Sequence, residues 1–308
     1  MRLCTTTPIL ISLIILVAAA TAGAQPEGTV IAWGTNTSGQ CDVPEPNGGF
    51  VAVAAGSYHS LGLRSDGSIA AWGDNDRGQC DVPDPNEGFV AVAADFEHSV
   101  ALRDDGSVIA WGRSFEGQCG SFATGYTAIA AGSYHTLVVR SDGMIFGIGL
   151  NDEGQSDSPP SNWGYIAAAA GRFHSLGVKS NGQIVAWGGN TYGQCDVPQP
   201  NSDFVAVAAG WNSSLGLKSD GTVVAWGSNT YVPSPNAGYV AISACGNGYS
   251  MLRDDGSVAA WGPFGSSVPE PNTGNLAVAA GFNHALVIRT DPTAAEGTCW
   301  GAIKALYR

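Results

Sequence analysis

A Trp-Gly pair returns along this chain at a nearly constant spacing, and that confines it to one kind of architecture. The pair occurs as Trp33-Gly34, Trp72-Gly73, Trp111-Gly112, Trp187-Gly188, Trp226-Gly227 and Trp261-Gly262, with Ile148-Gly149 as a degenerate copy. Successive steps are 39, 39, 37, 39, 39 and 35 residues. A unit of roughly 20–50 residues that recurs in this way cannot bury its apolar face alone, so it must stack on its neighbours as a solenoid, propeller or array.

Each period reads as three strands and a long loop. Phe50 to Ala55 (FVAVAA) is an apolar, β-branched run, Ser60 to Arg64 (SLGLR) alternates with period two, and Ser68 to Trp72 (SIAAW) is a third strand. Asp66-Gly67 joins the last two, and Asp105-Gly106, Asp142-Gly143, Asn181-Gly182, Asp220-Gly221 and Asp255-Gly256 repeat it. Asp-Gly between apolar strands predicts a two-residue type I′ hairpin turn. Gly56, Gly132, Gly171, Gly210 and Gly281 close the first strand, where tight bends are expected. The long loop after each Trp-Gly has room for a fourth strand.

Counting sets the closure. There are seven Trp-Gly-type strands and seven strand pairs of the Val-Ala-Ala-Gly type. The chain opens on a lone strand, Thr29 to Trp33, and closes on a lone pair, Leu276 to Arg289. Left apart, both ends would present raw sheet edges. The sequence therefore predicts an all-β fold, a seven-bladed β-propeller closed by its N-terminal strand. The propeller spans residues 25–291, between a leader (1–24) and a C-terminal tail (292–308).

The leader reads as a cleavable export signal. Arg2 precedes an apolar run from Ile9 to Ala20, and Ala22-Gly23-Ala24 supplies small residues at the cleavage positions. The run is shorter than the ~20 residues of a spanning helix, so no membrane span is expected. The expected location is secreted, periplasmic or extracellular. With 13 basic against 26 acidic residues, neither nucleic acid nor an anionic surface is expected as a partner. No Lys/Arg cluster stands out along the chain.

The residue types that usually carry chemistry are tied to the repeat. All five histidines (His59, His98, His135, His174, His284) share one position. Equivalent sites on different blades stand too far apart to share an ion whose bonds to nitrogen are ~2.0–2.1 Å long. A hydrogen bond repeated from blade to blade is the expectation, and no metal. Cys41, Cys80, Cys119 and Cys195 share the motif Gly-Gln-Cys, with Ser156 in their place in one copy. Bridging needs Cα atoms within about 7 Å, so these are read as small packing side chains. Cys245 and Cys299 are the irregular pair left for a disulfide. The Asn and Asp residues of the long loops, such as Asn36 and Asp42, are read as Asx turns rather than calcium ligands. No nucleophile elbow, His-Glu-x-x-His, phosphate loop or dinucleotide fingerprint is present. Neither an enzyme nor a cofactor is expected.

The two residues before each histidine position vary most: Ser57-Tyr58, Phe96-Glu97, Ser133-Tyr134, Arg172-Phe173, Trp211-Asn212, Asn247-Gly248 and Phe282-Asn283. They form bends that emerge on one face of the disc. Six of the seven carry an aromatic residue, and aromatics dominate binding hot spots. Tyr58, Phe96, Tyr134, Phe173, Trp211 and Phe282 are therefore the candidate partner-binding residues.

The string V-x-A-W-G-x-N-x-x-G-Q-x-D-V-P, followed by V-A-V-A-A-G-x-x-H-S-L-x-L-x-S-D-G, is nearly complete in copies beginning near Val30, Ile69 and Ile184. It resembles the regulator of chromosome condensation repeat family over about residues 28–290, which implies the same seven-bladed propeller. The unit is also similar to that of the exported, β-lactamase-inhibiting bacterial propellers of this family. That likeness implies tight protein binding through loops on one face, with β-lactamase inhibition as a special case. Two features depart from it. The sixth bend has no aromatic, and the last two Trp-Gly loops lack Gly-Gln-Cys-Asp, so the face should be lower there. The expectation is an exported, monomeric, non-enzymatic propeller that binds a protein partner. The alternative is a secreted polysaccharide-binding or polysaccharide-degrading propeller.

Overall fold

The structure, a computed structural model, describes residues 26–265 and 268–290. The leader, the tail and Cys299 lie outside the described residues. The described chain forms seven antiparallel sheets. Strand β1 (Thr29–Gly34) belongs to the last of them. Blade 1 is β2 (Phe50–Ala55), β3 (His59–Arg64) and β4 (Ile69–Gly73). Blade 2 is β5 (Phe89–Asp95), β6 (His98–Arg103), β7 (Val108–Gly112) and a short β8 (Gly120–Phe122). Blade 3 is β9 (Tyr126–Ala131), β10 (His135–Arg140) and β11 (Ile145–Gly149), and blade 4 is β12 (Tyr165–Ala170), β13 (His174–Lys179) and β14 (Ile184–Gly188). Blade 5 is β15 (Phe204–Ala209), β16 (Ser213–Lys218) and β17 (Val223–Gly227), and blade 6 is β18 (Tyr239–Cys245), β19 (Gly248–Arg253) and β20 (Val258–Trp261). Blade 7 takes β21 (Asn275–Ala280) and β22 (His284–Arg289) from the end of the chain and β1 from its start. The register runs from Thr29↔Arg289 to Gly34↔His284. The ring is closed as the sequence requires.

The apolar layers lie between blades. Phe50 and Trp72 of blade 1 pack with Val30, Leu286 and Ile288 of blade 7, and Phe204 and Trp226 repeat this against Leu176 and Val178. The first strands turn their alanines to the axis, where they line a cavity of about 270 Å³. Small side chains at that position, where the seven first strands converge, leave the axis open.

Two local expectations change. The hairpin turn is not type I′. Gly67 is left-handed at φ +82°, but Asp66 is not. Gly67 N–H donates to Arg64 O at 3.0 Å and Arg64 N–H to Ser68 O at 2.9 Å, which makes a three-residue loop with one left-handed glycine. Asp66 instead accepts bonds from the Ser68 amide and hydroxyl. A full fourth strand forms only in blade 2, among the described residues. Elsewhere one asparagine does that work. The Asn47 side chain accepts from Val30 N–H at 2.8 Å and donates to Val30 O at 2.9 Å. Asn86, Asn201, Asn236 and Asn272 repeat both bonds on Ile69, Ile184, Val223 and Val258. A side-chain amide offers one donor and one acceptor, which is what a strand neighbour would offer there. Where the Asn is missing after Trp111, backbone pairing through β8 replaces it.

The blades are also stitched together by polar groups. His59 Nε2 lies 3.0 Å from Ser99 Oγ of the next blade, and Ser99 Oγ donates to Gln79 O at 2.9 Å. That one carbonyl also accepts from the Trp111 indole at 3.0 Å. The same link joins His98 to Thr136, His135 to Ser175, His174 to Ser214 and His284 to Ser60. The hydroxyl has one proton and gives it to the glutamine carbonyl, so His Nε2 must carry the hydrogen. Burial lowers the five pKa values to about 3 or 4, so each imidazole is neutral near pH 7, with its hydrogen on Nε2. Gly56 is glycine to make room for this ring, since a Cβ there would lie 2.3 Å from His59. Its conformation is not left-handed, so close approach rather than a special bend selects it. The shared cysteine position serves the same scaffold: Cys80 Sγ donates to Asp74 O at 3.2 Å, and Ser156 donates to Leu150 O at 2.7 Å. Asn36 accepts from Cys41 N–H and donates to Asp42, which accounts for the loop Asx residues.

Two tests follow from closure and from the histidines. Asn47→Ala removes both bonds to the closing strand and should cost about 2 kcal/mol of stability, read as a lower urea midpoint. Burial lowers the pKa of His59 and His135 to about 3 and of His98, His174 and His284 to about 4. The folded state thus binds fewer protons than the unfolded chain once pH drops below 6.5. Stability should be fully present above that pH and fall steadily toward pH 4, at up to ~1.4 kcal/mol per pH unit for each histidine. Urea midpoints measured across that range check the slope.

Candidate binding face

The bends before each histidine position and the long loops share one face. Residues just after Trp-Gly bond back to those bends: Asp74 N–H to Tyr58 O, Arg113 N–H to Glu97 O, Leu150 N–H to Tyr134 O and Ser228 N–H to Asn212 O, each at 2.9 Å. The six candidate aromatics are all half-buried, and the structure brings them together. Trp211 stacks on Phe282 with centroids 4.6 Å apart, although blade 6 lies between their blades. Gly246 permits this, because a Cβ there would lie 2.5 Å from the Phe282 ring. Phe282 meets Tyr58 at 6.3 Å, Tyr134 meets Phe96 at 5.4 Å, and Tyr134 meets Phe173 at 5.7 Å. The small sixth bend thus lets rings of blades 5 and 7 meet.

Arginines fill the joints between these rings. Arg113 lies over Phe96, Tyr134 and Phe115 at 5.0–5.4 Å. It also pairs with both oxygens of Glu116, at 2.7 and 2.8 Å, and with Glu97 at 3.4 Å. Arg77 lies over Phe115 and reaches Glu97 at 3.9 Å. Arg172 lies over Phe173, Trp211 and Tyr134 at 4.9, 5.4 and 6.0 Å. Read along the chain, no basic cluster is visible. Three arginines from different repeats nonetheless converge here, because the repeat puts equivalent loops side by side. Phe115 and Tyr192 on the long loops, 71% and 56% exposed, extend the apolar surface outward and were not singled out by the bend pattern. Their signal was an aromatic residue one or two places ahead of Gly-Gln, at Tyr192 and Phe115 respectively.

Beneath the cap, two blades depart from the glycine that ends the first strand. Asp95 and Cys245 stand at that position, both buried. The Cys245 thiol donates to Asp95 Oδ1 at 3.1 Å across the axis, and Phe96 N–H donates to the same oxygen at 2.6 Å. Burial raises the Asp95 pKa to about 6 and pushes the Cys245 thiol well above its ordinary value. Asp95 faces a thiol rather than a second carboxylate, so this contact is not the carboxylate pair of most glycosidases. Cys245 is free, and its suggested partner Cys299 lies outside the described residues.

The lower sector expected at blades 6 and 7 has a structural counterpart. The loops after Gly227 and Gly262 lack the glutamine whose carbonyl would receive the next indole. The Trp261 and Trp33 indole N–H groups are left without an acceptor. Phe264 fills part of the vacated space, packed with Ala280, Ala285 and Trp33. At the same seam Gly248 stands at the histidine position, so the sixth bend is Gly246-Asn247 rather than the expected Asn247-Gly248. Ala285 replaces the serine there, where five other seams hold a histidine–hydroxyl hydrogen bond and the sixth, Ser213–Tyr249, a 2.6 Å hydroxyl pair.

The regulator of chromosome condensation (RCC1) repeat matches residues 50–79, 89–118, 126–155, 165–194 and 204–231. Among solved structures, yeast RCC1 (Prp20), crystallised with Kap60, is similar at 17% identity over 96% of each chain, with a TM-score of 0.73. Human WBSCR16 is similar at 16% identity over 86% of this chain and 99% of its own, with a TM-score of 0.70. The CRINKLY ectodomain of the Arabidopsis thaliana receptor kinase ACR4 is similar at 25% identity over 71% and 82%, with a TM-score of 0.59. No curated protein matches the chain. No helix among the described residues is long and apolar enough to cross a membrane.

The axial carboxyl supplies a test whose sign is fixed. A folded-state pKa raised from 3.8 to about 6 means that Asp95 favours folding below pH 3.8 and loses that contribution as pH rises through 6. Asp95→Asn stays neutral throughout. The variant should therefore gain on the wild type by about 3 kcal/mol between pH 4 and pH 7, measured by paired urea titrations.

Proposed function

The chain belongs to the regulator of chromosome condensation repeat family, and on that premise we propose that it is an exported, non-enzymatic propeller that binds a protein partner through its aromatic face. Two ring triads carry this reading, Tyr58–Phe282–Trp211 and Phe96–Tyr134–Phe173, bridged by Arg172, which lies over Phe173 and Trp211. A contact surface built of stacked rings and arginines held between them loses little conformational entropy when a partner docks. Tyr, Trp and Arg are also the residues that most often dominate such contacts. The leader, with its apolar run and small-residue cleavage site, supports export. A similar fold occurs in yeast RCC1, which was crystallised bound to Kap60, and in the ectodomain of a plant receptor kinase. One chain closes its own ring, and it acts as a monomer. The Asp95–Cys245 contact favours protein binding over a polysaccharide-degrading role.

The test uses the mature chain immobilised beside Tyr134→Ala and Trp211→Ala variants, exposed in parallel to envelope and culture-medium proteins and to a glycan array. A protein should be retained by the wild type and lose about 2 kcal/mol, roughly 30-fold in affinity, with either variant. Retention that both variants keep, or binding of glycans alone, overturns the reading. A nitrocefin assay with added protein decides the β-lactamase case separately.

A further inference from the structure

The three arginines of the aromatic face differ in one respect. Arg77 and Arg113 have carboxylates within reach, supplied by Glu97 and Glu116. Arg172 has none: the ion pairs among the described residues are made by Arg77, Arg113 and Arg140. Its Nε is buried and unpartnered. Its guanidinium is nonetheless held in place, with Phe173 of its own bend, Tyr134 of blade 3 and Trp211 of blade 5 around it. Three ring faces attract the cation and fix its plane, but they satisfy none of its N–H donors. A desolvated donor without an acceptor costs about 1–3 kcal/mol, and an incoming acceptor would recover that.

The neighbouring blade shows what acceptor this environment takes. Arg113, in the same kind of aromatic seat, receives both oxygens of Glu116 at 2.7 and 2.8 Å. A planar fork matched to a planar carboxylate gives two parallel charge-assisted bonds. Around Arg172 the described residues supply no such group, although acidic residues outnumber basic ones 26 to 13 in the sequence. We propose that Arg172 is the receptor for a carboxylate side chain, Asp or Glu, presented by the protein partner, with Trp211, Phe173 and Tyr134 seating the apolar residues that flank it. This rests on the reading of the aromatic face as a protein-binding surface and names the chemistry at its centre. Arg172 was visible in the sequence only as the companion of Phe173.

A random-peptide display library selected on the full chain tests the assignment, with binding then measured on synthetic peptides. The enriched peptides should carry Asp or Glu next to an aromatic or aliphatic residue. Arg172→Gln should weaken the best peptide at least tenfold. Changing the peptide's acid to its amide should do the same, and the two changes together should add little, as one lost contact requires. Arg172→Lys keeps the charge but not the fork, and it should recover only part of the affinity. Thermal melts of each variant separate lost binding from lost folding. Peptides that need Trp211 yet bind Arg172→Gln as well as wild type overturn the carboxylate assignment and leave the protein-binding face standing. Binders indifferent to both Trp211→Ala and Arg172→Gln overturn the two together. Tighter binding of a glucuronate oligosaccharide than of any selected peptide overturns both in favour of an acidic glycan.

Discussion

One glutamine main-chain carbonyl in each of five repeats holds most of this molecule together. The glutamine of Gly-Gln turns its own side chain inward, where Oε1 accepts a loop amide, as in Gln79 with Arg77 N–H. Its carbonyl then receives the indole of one blade and the hydroxyl that answers the histidine of the preceding blade. Loop, core tryptophan and neighbouring blade are thereby fixed at a single point. A buried carbonyl has two lone pairs, and both are used. This explains why Trp-Gly, Gly-Gln and His-Ser occur together: each needs the other two as partners. It also explains why the histidines are not ligands. Each sits 0% exposed, neutral, and committed to a hydroxyl.

The proposed binding face takes part of its shape from the sector where that arrangement lapses. Blades 6 and 7 lose the glutamine, and with it the acceptor for two indoles. They lose the histidine–serine link at their shared seam, and Phe264 takes up the space. The bend of blade 6 shrinks to Gly246, over which Phe282 reaches Trp211. Loss of symmetry in one sector therefore joins rings of blades 5 and 7. The same sector contributes Cys245, whose thiol reaches across the axis to Asp95 and fills the mouth beneath the rings. Stability comes from what the repeats share. The character of the face comes from what they do not.

Much of this is legible in particular residues. The lone strand Thr29 to Trp33 and the lone pair Leu276 to Arg289 define closure, because an unpaired edge on each end is costly and each supplies what the other lacks. The bend aromatics are legible as a set, since a fixed period puts equivalent residues on one rim. Other features resist such reading. Asp66-Gly67 resembles a two-residue turn, but the carboxylate caps Ser68 and keeps Asp66 out of the left-handed region. The Pro-Asn segment after each long loop resembles plain coil, because nothing in its composition shows that Asn47 will pair with Val30 on both sides.

The sequence alone determined the repeat, the blade number, the way the ring closes and the rim that carries the aromatics, because all four follow from period and strand alternation, which are properties of neighbouring residues. Only the tertiary structure decided which side chains meet across blades. Trp211 on Phe282, Cys245 on Asp95 and Arg172 among three rings depend on separations of up to 150 residues and on how far each bend leans over the axis. A period states that equivalent residues lie side by side. It does not state which of them touch, since that depends on the size of the residue that stands between.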